Sequence, residues 1–167
     1  MKTPHIIALW LLAGWCVVSA QTNPDTNTAT LTRPEPPNIY DESAEGSKQI
    51  DDAVVLARKE HKRVLLQFGA NWCGWCRMLH HLFETDKSVA EELGSGYVVV
   101  MIDVNKGHNK DIDKRYGYPT RFGLPVIVVL GADGRQLTTQ DTGELEEGDH
   151  HNPGKVTAFL KKWTPKE

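Results

Sequence analysis

Two cysteines separated by two residues, Cys73 and Cys76, constrain the fold of this chain more than any other feature of its sequence. The short apolar run Val64–Phe68 precedes them and is typical of a buried strand. The residues behind them include an apolar stripe, which predicts a helix from Cys73 to about Glu84. The pair therefore lies where a buried strand leads into the first turn of a helix.

This position suits thiol–disulfide chemistry. A thiolate is the attacking group in disulfide exchange, and a helix N-terminus stabilises it through unpaired N–H groups and the positive end of the dipole. Two intervening residues let the second sulfur reach the first within one turn. A disulfide across so short a loop restricts the unfolded chain little, so reactivity explains the pair better than cross-linking does. By itself, the spacing also fits half of a zinc site.

The rest of the pattern predicts helices and strands that alternate around this junction. Helices are predicted from Ser47, a candidate cap, to about His61, at Val89–Leu93, at Asp111–Tyr116 and from Pro153 onward. Further strands are predicted at Tyr97–Val104, Val126–Leu130 and Gln136–Gln140, the last two joined by an Asp-Gly turn. This order predicts an α/β fold, a mixed central β-sheet flanked by helices on both faces.

Two stretches of the chain carry a resemblance to a known family. The first is Phe68–Cys76, and the second is Gly123–Val126, which places a Leu-Pro step before a predicted strand. Together with the order of elements, they resemble the thioredoxin family over roughly residues 47–163. The resemblance implies the thioredoxin-like fold and a thiol–disulfide oxidoreductase that works through the cysteine pair.

The resemblance also implies a role for each residue around the pair. Cys73 would be the attacking, solvent-accessible cysteine, and Cys76 the more buried, resolving one. Pro125 matches the family's cis-proline, which holds an extended substrate segment by main-chain hydrogen bonds. Trp72 matches a tryptophan that shields the site. The expected substrate-binding surface also includes Gly74, Trp75 and Leu124.

The chain departs from the thioredoxin pattern at a buried proton relay. The family has a buried aspartate six positions before the first cysteine, where this chain has Gln67, and Met101 aligns with the family's nearby lysine. We therefore expect Cys76 to be deprotonated by water or by another group, with slower exchange at that step. A second departure is an insertion, Gly117–Gly123, which is expected to border the substrate groove.

The N-terminal part of the chain has the pattern of an exported protein. Lys2 precedes the apolar run Ile6–Val18 and a small-residue cleavage site, so residues 1–20 are predicted to be a signal peptide. A retained membrane anchor and lipidation at Cys16 are the alternatives. Residues 21–46, rich in Thr, Asn and Pro, are predicted to be a flexible linker, and residues 47–167 the thioredoxin-like domain.

These features favour a periplasmic or secreted reductase or isomerase that exchanges disulfides with exported proteins. Its expected partners are protein thiols and disulfides and a membrane thiol-transferring electron donor. No cofactor is expected, and the chain is expected to be monomeric. The net charge of −3, with both signs interspersed, is not that of a nucleic-acid-binding protein.

Two alternatives remain open from the sequence. A dithiol oxidase would use the same cysteines in the opposite direction. A copper-handling protein would use Cys73, Cys76 and His80 as ligands, although no fourth ligand stands at metal spacing. The other histidines of note, His150 and His151, fall in the acidic, glycine-rich stretch Gly143–His151, which is predicted to be a solvated loop.

Overall fold

The structure is a computed structural model that describes residues 37–166 of the chain. Its helices are α1 (Gly46–Glu60), α2 (Gly74–Thr85), α3 (Lys87–Gly96), α4 (Lys110–Arg115) and α5 (Pro153–Trp163). Its strands are β1 (Arg63–Gly69), β2 (Tyr97–Asp103), β3 (Val126–Leu130), β4 (Gln136–Asp141), β5 (Glu146–Glu147) and β6 (His150–His151). Short 3-10 turns lie at Asn105–Gly107, Pro119–Phe122 and Thr142–Leu145.

Four of the strands form the central sheet, in the order β2-β1-β3-β4. β1 pairs with β2 in parallel and with β3 antiparallel, and β3 pairs with β4 antiparallel. All of β3, and all of β1 after Arg63, is buried, which explains why their sequences are almost continuously apolar. β5 and β6 form a separate two-stranded ribbon.

Helices cover both faces of this sheet. Val64, Leu66 and Phe68 of β1 belong to the core beneath α1 and α4, whereas Leu65 belongs to the core beneath α2, α3 and α5. Since successive strand residues point to opposite faces, Gln67 lies on the α2 face. The predicted mixed sheet with helices on both faces is confirmed.

Two helices begin differently from the prediction. α1 starts at Gly46, so Ser47 lies inside its first turn and cannot cap it. The first N–H group of the helix instead donates to Oδ1 of Asn109, a distant residue, at 2.8 Å. α3 is capped by Asp86, which accepts from a backbone N–H at 3.0 Å, and it is longer than the single turn predicted.

The acidic stretch that precedes α5 is not a solvated loop. It folds into a 3-10 turn and the β5–β6 ribbon, in which Glu146 pairs with His151. His151 is only 4% exposed, because the ribbon directs its side chain toward Trp75 of α2. The prediction of a solvated loop was therefore wrong at this residue.

The segment before α1 packs on the domain. Tyr40 is 2% exposed, so the linker predicted for residues 21–46 differs from the structure over residues 37–46. The remainder of that linker and the predicted signal peptide, residues 1–20, lie outside the described residues. Within residues 37–166, no helix has the length and apolar character needed to cross a membrane.

Candidate active site

Cys73 and Cys76 lie at the start of α2 and form a disulfide, with their Cα atoms 5.3 Å apart. Cys73 is the N-cap residue of the helix, and its sulfur accepts a hydrogen bond from the backbone N–H of Cys76 at 3.2 Å. The first N–H groups of a helix have no partner within the helix. The same N–H can therefore stabilise a Cys73 thiolate once the disulfide is reduced.

The disulfide is almost closed to solvent. Cys73 is 5% exposed and Cys76 is fully buried. Cys73 is thus far less open than predicted, and the attacking and resolving roles of the two cysteines stay predictions. Around the pair lies a small apolar cluster made of Ile39, Tyr40, Trp75, Met101 and Leu124.

The peptide bond between Leu124 and Pro125 is cis, as expected for a cis-proline. Leu124 packs against the cysteine cluster, which places the bond beside the disulfide. The hydroxyl of Thr142, a buried residue, donates a hydrogen bond to the carbonyl of Pro125. The role of Pro125 in holding a substrate segment stays a prediction.

A buried tyrosine–glutamine pair lies beneath Cys76, where the family pattern has a carboxylate. The side-chain amide of Gln67 donates to the Tyr40 hydroxyl at 2.7 Å and to the Cys76 carbonyl at 3.2 Å. Met101 lies opposite Gln67 on β2 and also contacts the cysteine cluster. Neutral groups therefore occupy both positions of the relay.

Asn71 holds the Tyr40 segment against this site. Its Oδ1 accepts hydrogen bonds from the backbone N–H groups of Ile39 and Tyr40, both at 2.9 Å. Its Nδ2 donates to the Tyr40 carbonyl at 3.0 Å and to the Glu42 carboxylate at 2.9 Å. Asn71 is 8% exposed, and all four of these side-chain hydrogen bonds go to this one segment.

The surface beside the disulfide is open and partly aromatic. Trp72 is 70% exposed, and its indole N–H donates to Asn105 Oδ1 at 3.0 Å. Most of its ring therefore faces solvent, and its shielding role stays a prediction. Gly74 is also on the open side, since a Cβ there would meet no atom within 4 Å.

A buried carboxylate ends β2 on the α2 face of the sheet. Asp103 is 1% exposed and lies opposite Gly69 of β1. Its Oδ2 pairs with His108 Nδ1 at 2.9 Å and accepts from the Asn105 N–H at 3.2 Å. Its Oδ1 is buried and has no hydrogen-bond partner within residues 37–166.

His151 of the β5–β6 ribbon contacts Trp75, which lies between the two cysteines. Its ring meets that of Trp75 edge-on, with centroids 5.3 Å apart, and its Nε2 lies 3.2 Å from the Trp75 carbonyl. A carbonyl only accepts, so Nε2 carries the proton. Burial lowers the pKa of His151 below its usual value, against the opposing effect of this hydrogen bond.

Within the described part of the chain, no third metal ligand lies beside the cysteines. Among residues 37–166, no group of three or more His, Cys, Asp or Glu side chains is arranged to hold a metal ion. His80, the ligand of the copper alternative, instead places Nε2 3.3 Å from Glu84 Oε1, one turn along α2.

Sequence reasoning missed Tyr40, Asn71 and His151. Their contacts join distant parts of the chain, so no local spacing reveals them. One signal was available for the first: Ile39 and Tyr40 are two large apolar residues at the end of a polar, proline-rich stretch, which is unusual for a solvated linker.

A cysteine pair at a helix N-terminus, enclosed on one side and placed beside a cis-proline, can open and reform its disulfide with an incoming thiol. The fold and this site define a thiol–disulfide oxidoreductase. The chain belongs to the Thioredoxin-like family, whose profile matches residues 45–132.

The chain is similar to several named relatives. It is 32% identical to the disulphide isomerase of Xylella fastidiosa Temecula1, with a TM-score of 0.68 over 75% of this chain and 96% of that one. It is 37% identical over 92 residues to protein disulfide isomerase-like 2-2 of Oryza sativa, covering 52% of this chain and 24% of the relative. It is 30% identical over 100 residues to thiol:disulfide interchange protein DsbD of Actinobacillus pleuropneumoniae, covering 58% and 16%. The chain thus spans a quarter or less of these two curated relatives.

Proposed function

We propose that this domain reduces or isomerises disulfides in exported proteins through Cys73 and Cys76. The observation that carries the proposal is the disulfide itself, placed at the N-terminus of α2 beside the cis Leu124–Pro125 bond. The similarity to proteins named disulfide isomerase and thiol:disulfide interchange protein supports it. Export rests on the predicted signal peptide, residues 1–20.

The surface around the pair suits a polypeptide substrate. Trp72 is 70% exposed, and Tyr118 and Phe122 of the insertion are 51% and 43% exposed. A pocket of about 260 Å³ lies between Leu124, the insertion and the loop that follows β2, with His108 and Thr120 in its lining. Exposed aromatic side chains beside a pocket are typical of surfaces that bind polypeptide segments.

Exchange would proceed in two steps. The Cys73 thiolate attacks a substrate disulfide, forms a mixed disulfide and releases one substrate sulfur as a thiolate. Cys76, as a thiolate, then attacks the Cys73 sulfur and releases the second substrate sulfur, which leaves the Cys73–Cys76 disulfide. A membrane thiol-transferring donor would return the pair to the dithiol by the reverse steps.

The first test is the reduction potential of residues 21–167 in glutathione buffers. A potential near that of thioredoxin, about −270 mV, supports a reductase that a partner must recharge. A potential near −120 mV, roughly that of the strongest oxidants of this fold, would replace the proposal by a dithiol oxidase.

Activity assays then separate reductase from isomerase. Insulin reduction with a dithiol donor measures the first, and recovery of scrambled ribonuclease measures the second. The Cys76→Ala variant is the control, because it traps mixed disulfides without completing the cycle. Copper retained by the pair, with no exchange in either assay, would overturn the proposal in favour of a copper-handling protein.

A further inference from the structure

The hydrogen-bonding pattern at Tyr40 leaves its own proton unassigned. The side-chain nitrogen of Gln67 also donates to the Cys76 carbonyl, which accepts only, and this bond assigns the orientation of the amide; its Oε1 is buried without a partner within residues 37–166. The Tyr40 oxygen is consequently the acceptor in its bond with Gln67. Within residues 37–166, no nitrogen or oxygen acceptor lies within hydrogen-bonding distance of the phenol for its own proton.

The sulfur of Cys76 lies near this phenol, although the two form no hydrogen bond while the disulfide is closed. A Cβ on Gly69 would lie less than 3.0 Å from both the Tyr40 hydroxyl and the Cys76 sulfur, so the two groups border the same methyl-sized space. Glycine at position 69 is what permits this approach. Both residues belong to one buried cluster, from which water is largely excluded.

We propose that the Tyr40 hydroxyl donates a hydrogen bond to the Cys76 sulfur whenever that sulfur is a thiolate, a role that rests on the proposed exchange function. When a donor thiolate attacks Cys73, the S–S bond breaks and its electron pair moves to Cys76, where the phenol stabilises the negative charge. In the opposite direction, the same bond stabilises the Cys76 thiolate before it attacks Cys73. Tyr40 keeps its proton throughout, and the proton that Cys76 releases goes to solvent.

The groups around Tyr40 favour its protonated form, in which the hydroxyl can donate a hydrogen bond. Burial, and to a smaller extent the Asp103 carboxylate, hold the pKa of Tyr40 above its usual value, although the Gln67 hydrogen bond opposes this. His108 is paired with Asp103, and Glu42 with Asn71. Arg77 of α2 donates to the backbone carbonyls of Pro37 and Asn71, at 2.8 and 2.6 Å.

The test compares Tyr40→Phe with Tyr97→Phe in the chain from residue 21. Tyr97 is the matched control, because it is also buried and its hydroxyl donates to the Leu160 carbonyl at 2.7 Å in the other core. In a Cys73→Ala background, thiolate absorbance against pH reports the pKa of Cys76. We expect Tyr40→Phe to raise it by about one to two units, as loss of a hydrogen bond to a charged group predicts, and Tyr97→Phe to leave it unchanged.

The second measurement is the rate at which dithiothreitol reduces the Cys73–Cys76 disulfide. We expect it to fall about tenfold in Tyr40→Phe, since the departing thiolate loses its donor. Gln67→Met, which releases the phenol without removing it, should give a smaller change in the same direction and remains informative if Tyr40→Phe folds poorly. An unchanged Cys76 titration and rate in folded Tyr40→Phe would overturn this role while leaving exchange intact. A wild-type protein without exchange would instead defeat the proposed function.

Discussion

At the scale of single residues, the site separates two sulfurs by their surroundings. Cys73 accepts a hydrogen bond from the Cys76 N–H at the start of α2, whereas Cys76 is fully buried in a cluster that contains the Tyr40 phenol and, among the described residues, no carboxylate. Gln67 decides this difference, because it fills the place beneath Cys76 with a neutral amide. The proton that Cys76 releases must therefore reach solvent without a carboxylate at position 67 to accept it.

Gln67→Asp should restore a titrating group beneath Cys76. Burial would hold the introduced carboxyl partly protonated near neutral pH, so it could take the Cys76 proton as the pH rises. We expect insulin reduction, measured from about pH 5 to pH 9, to gain a titration step that the wild type lacks. Gln67→Asn is the control of equal length without charge. Superimposable pH profiles for the two variants would contradict the prediction.

At the scale of elements, two segments outside regular structure shape the site. Asn71 ties residues 39–42 to the turn before α2 through four hydrogen bonds. The insertion before β3 is tied to α4, because Asp113 accepts from both the backbone N–H and the hydroxyl of Thr120, at 3.1 and 2.9 Å. Other hydrogen bonds reinforce both attachments, but Asn71 and Asp113 can each be substituted alone.

Asn71→Ala should release the Tyr40 segment. Four hydrogen bonds at the usual net value suggest a loss of about 2 to 4 kcal/mol in the free energy of unfolding. Urea titration measures the loss, and limited proteolysis near Tyr40 reports release of the segment. Asn105→Ala, which removes one exposed bond to Trp72, should cost far less. Equal stability and equal protease resistance in both variants would show that Asn71 does not hold the segment.

Asp113→Ala should loosen the insertion and weaken binding of protein substrates. We expect KM for insulin to rise several-fold while the rate with a small disulfide stays near that of the wild type, because only a polypeptide reaches the insertion. Asp111→Ala, an exposed aspartate on the same helix, is the control. A parallel loss with both substrates would mean that Asp113 supports the fold and not the substrate surface.

At the scale of the whole molecule, contacts from both ends of the domain converge on the α2 N-terminus. The Tyr40 segment reaches it from before α1, and His151 reaches it from the ribbon before α5. The site therefore depends on completion of the fold, and the environment of the cysteines and the stability of the domain are coupled.

His151 should make stability depend on pH. Its pKa is lowered in the folded protein, so the unfolded chain binds a proton more readily, and the stabilisation present above about pH 6.5 is lost as the pH falls. Urea midpoints should therefore drop between about pH 7.5 and pH 5 in the wild type and drop less in His151→Gln, which keeps a donor without titrating. His150→Gln, at the exposed neighbour, should follow the wild type. Identical pH dependence in all three would exclude this role.

Much of the fold was predictable because its signals are local. The strand–helix junction at the cysteines, the alternation of β1 and β3 with helices and the start of α5 at Pro153 follow from apolar runs, helical spacing and a proline. The extent of α3 and the start of α1 could not be predicted in this way. An N–H group in the first turn of α3 donates to Asp86, a cap that the sequence analysis missed, and the first N–H group of α1 donates to the distant Asn109.

The sequence by itself determined the class of chemistry, since two cysteines two residues apart after a buried strand place reactive sulfurs at a helix N-terminus. Only the tertiary structure decided what surrounds them. The Gln67–Tyr40 and His151–Trp75 contacts join residues 27 and 76 positions apart. Such pairs leave no periodic trace in the chain, because their geometry exists only after the sheet and both helical layers have assembled.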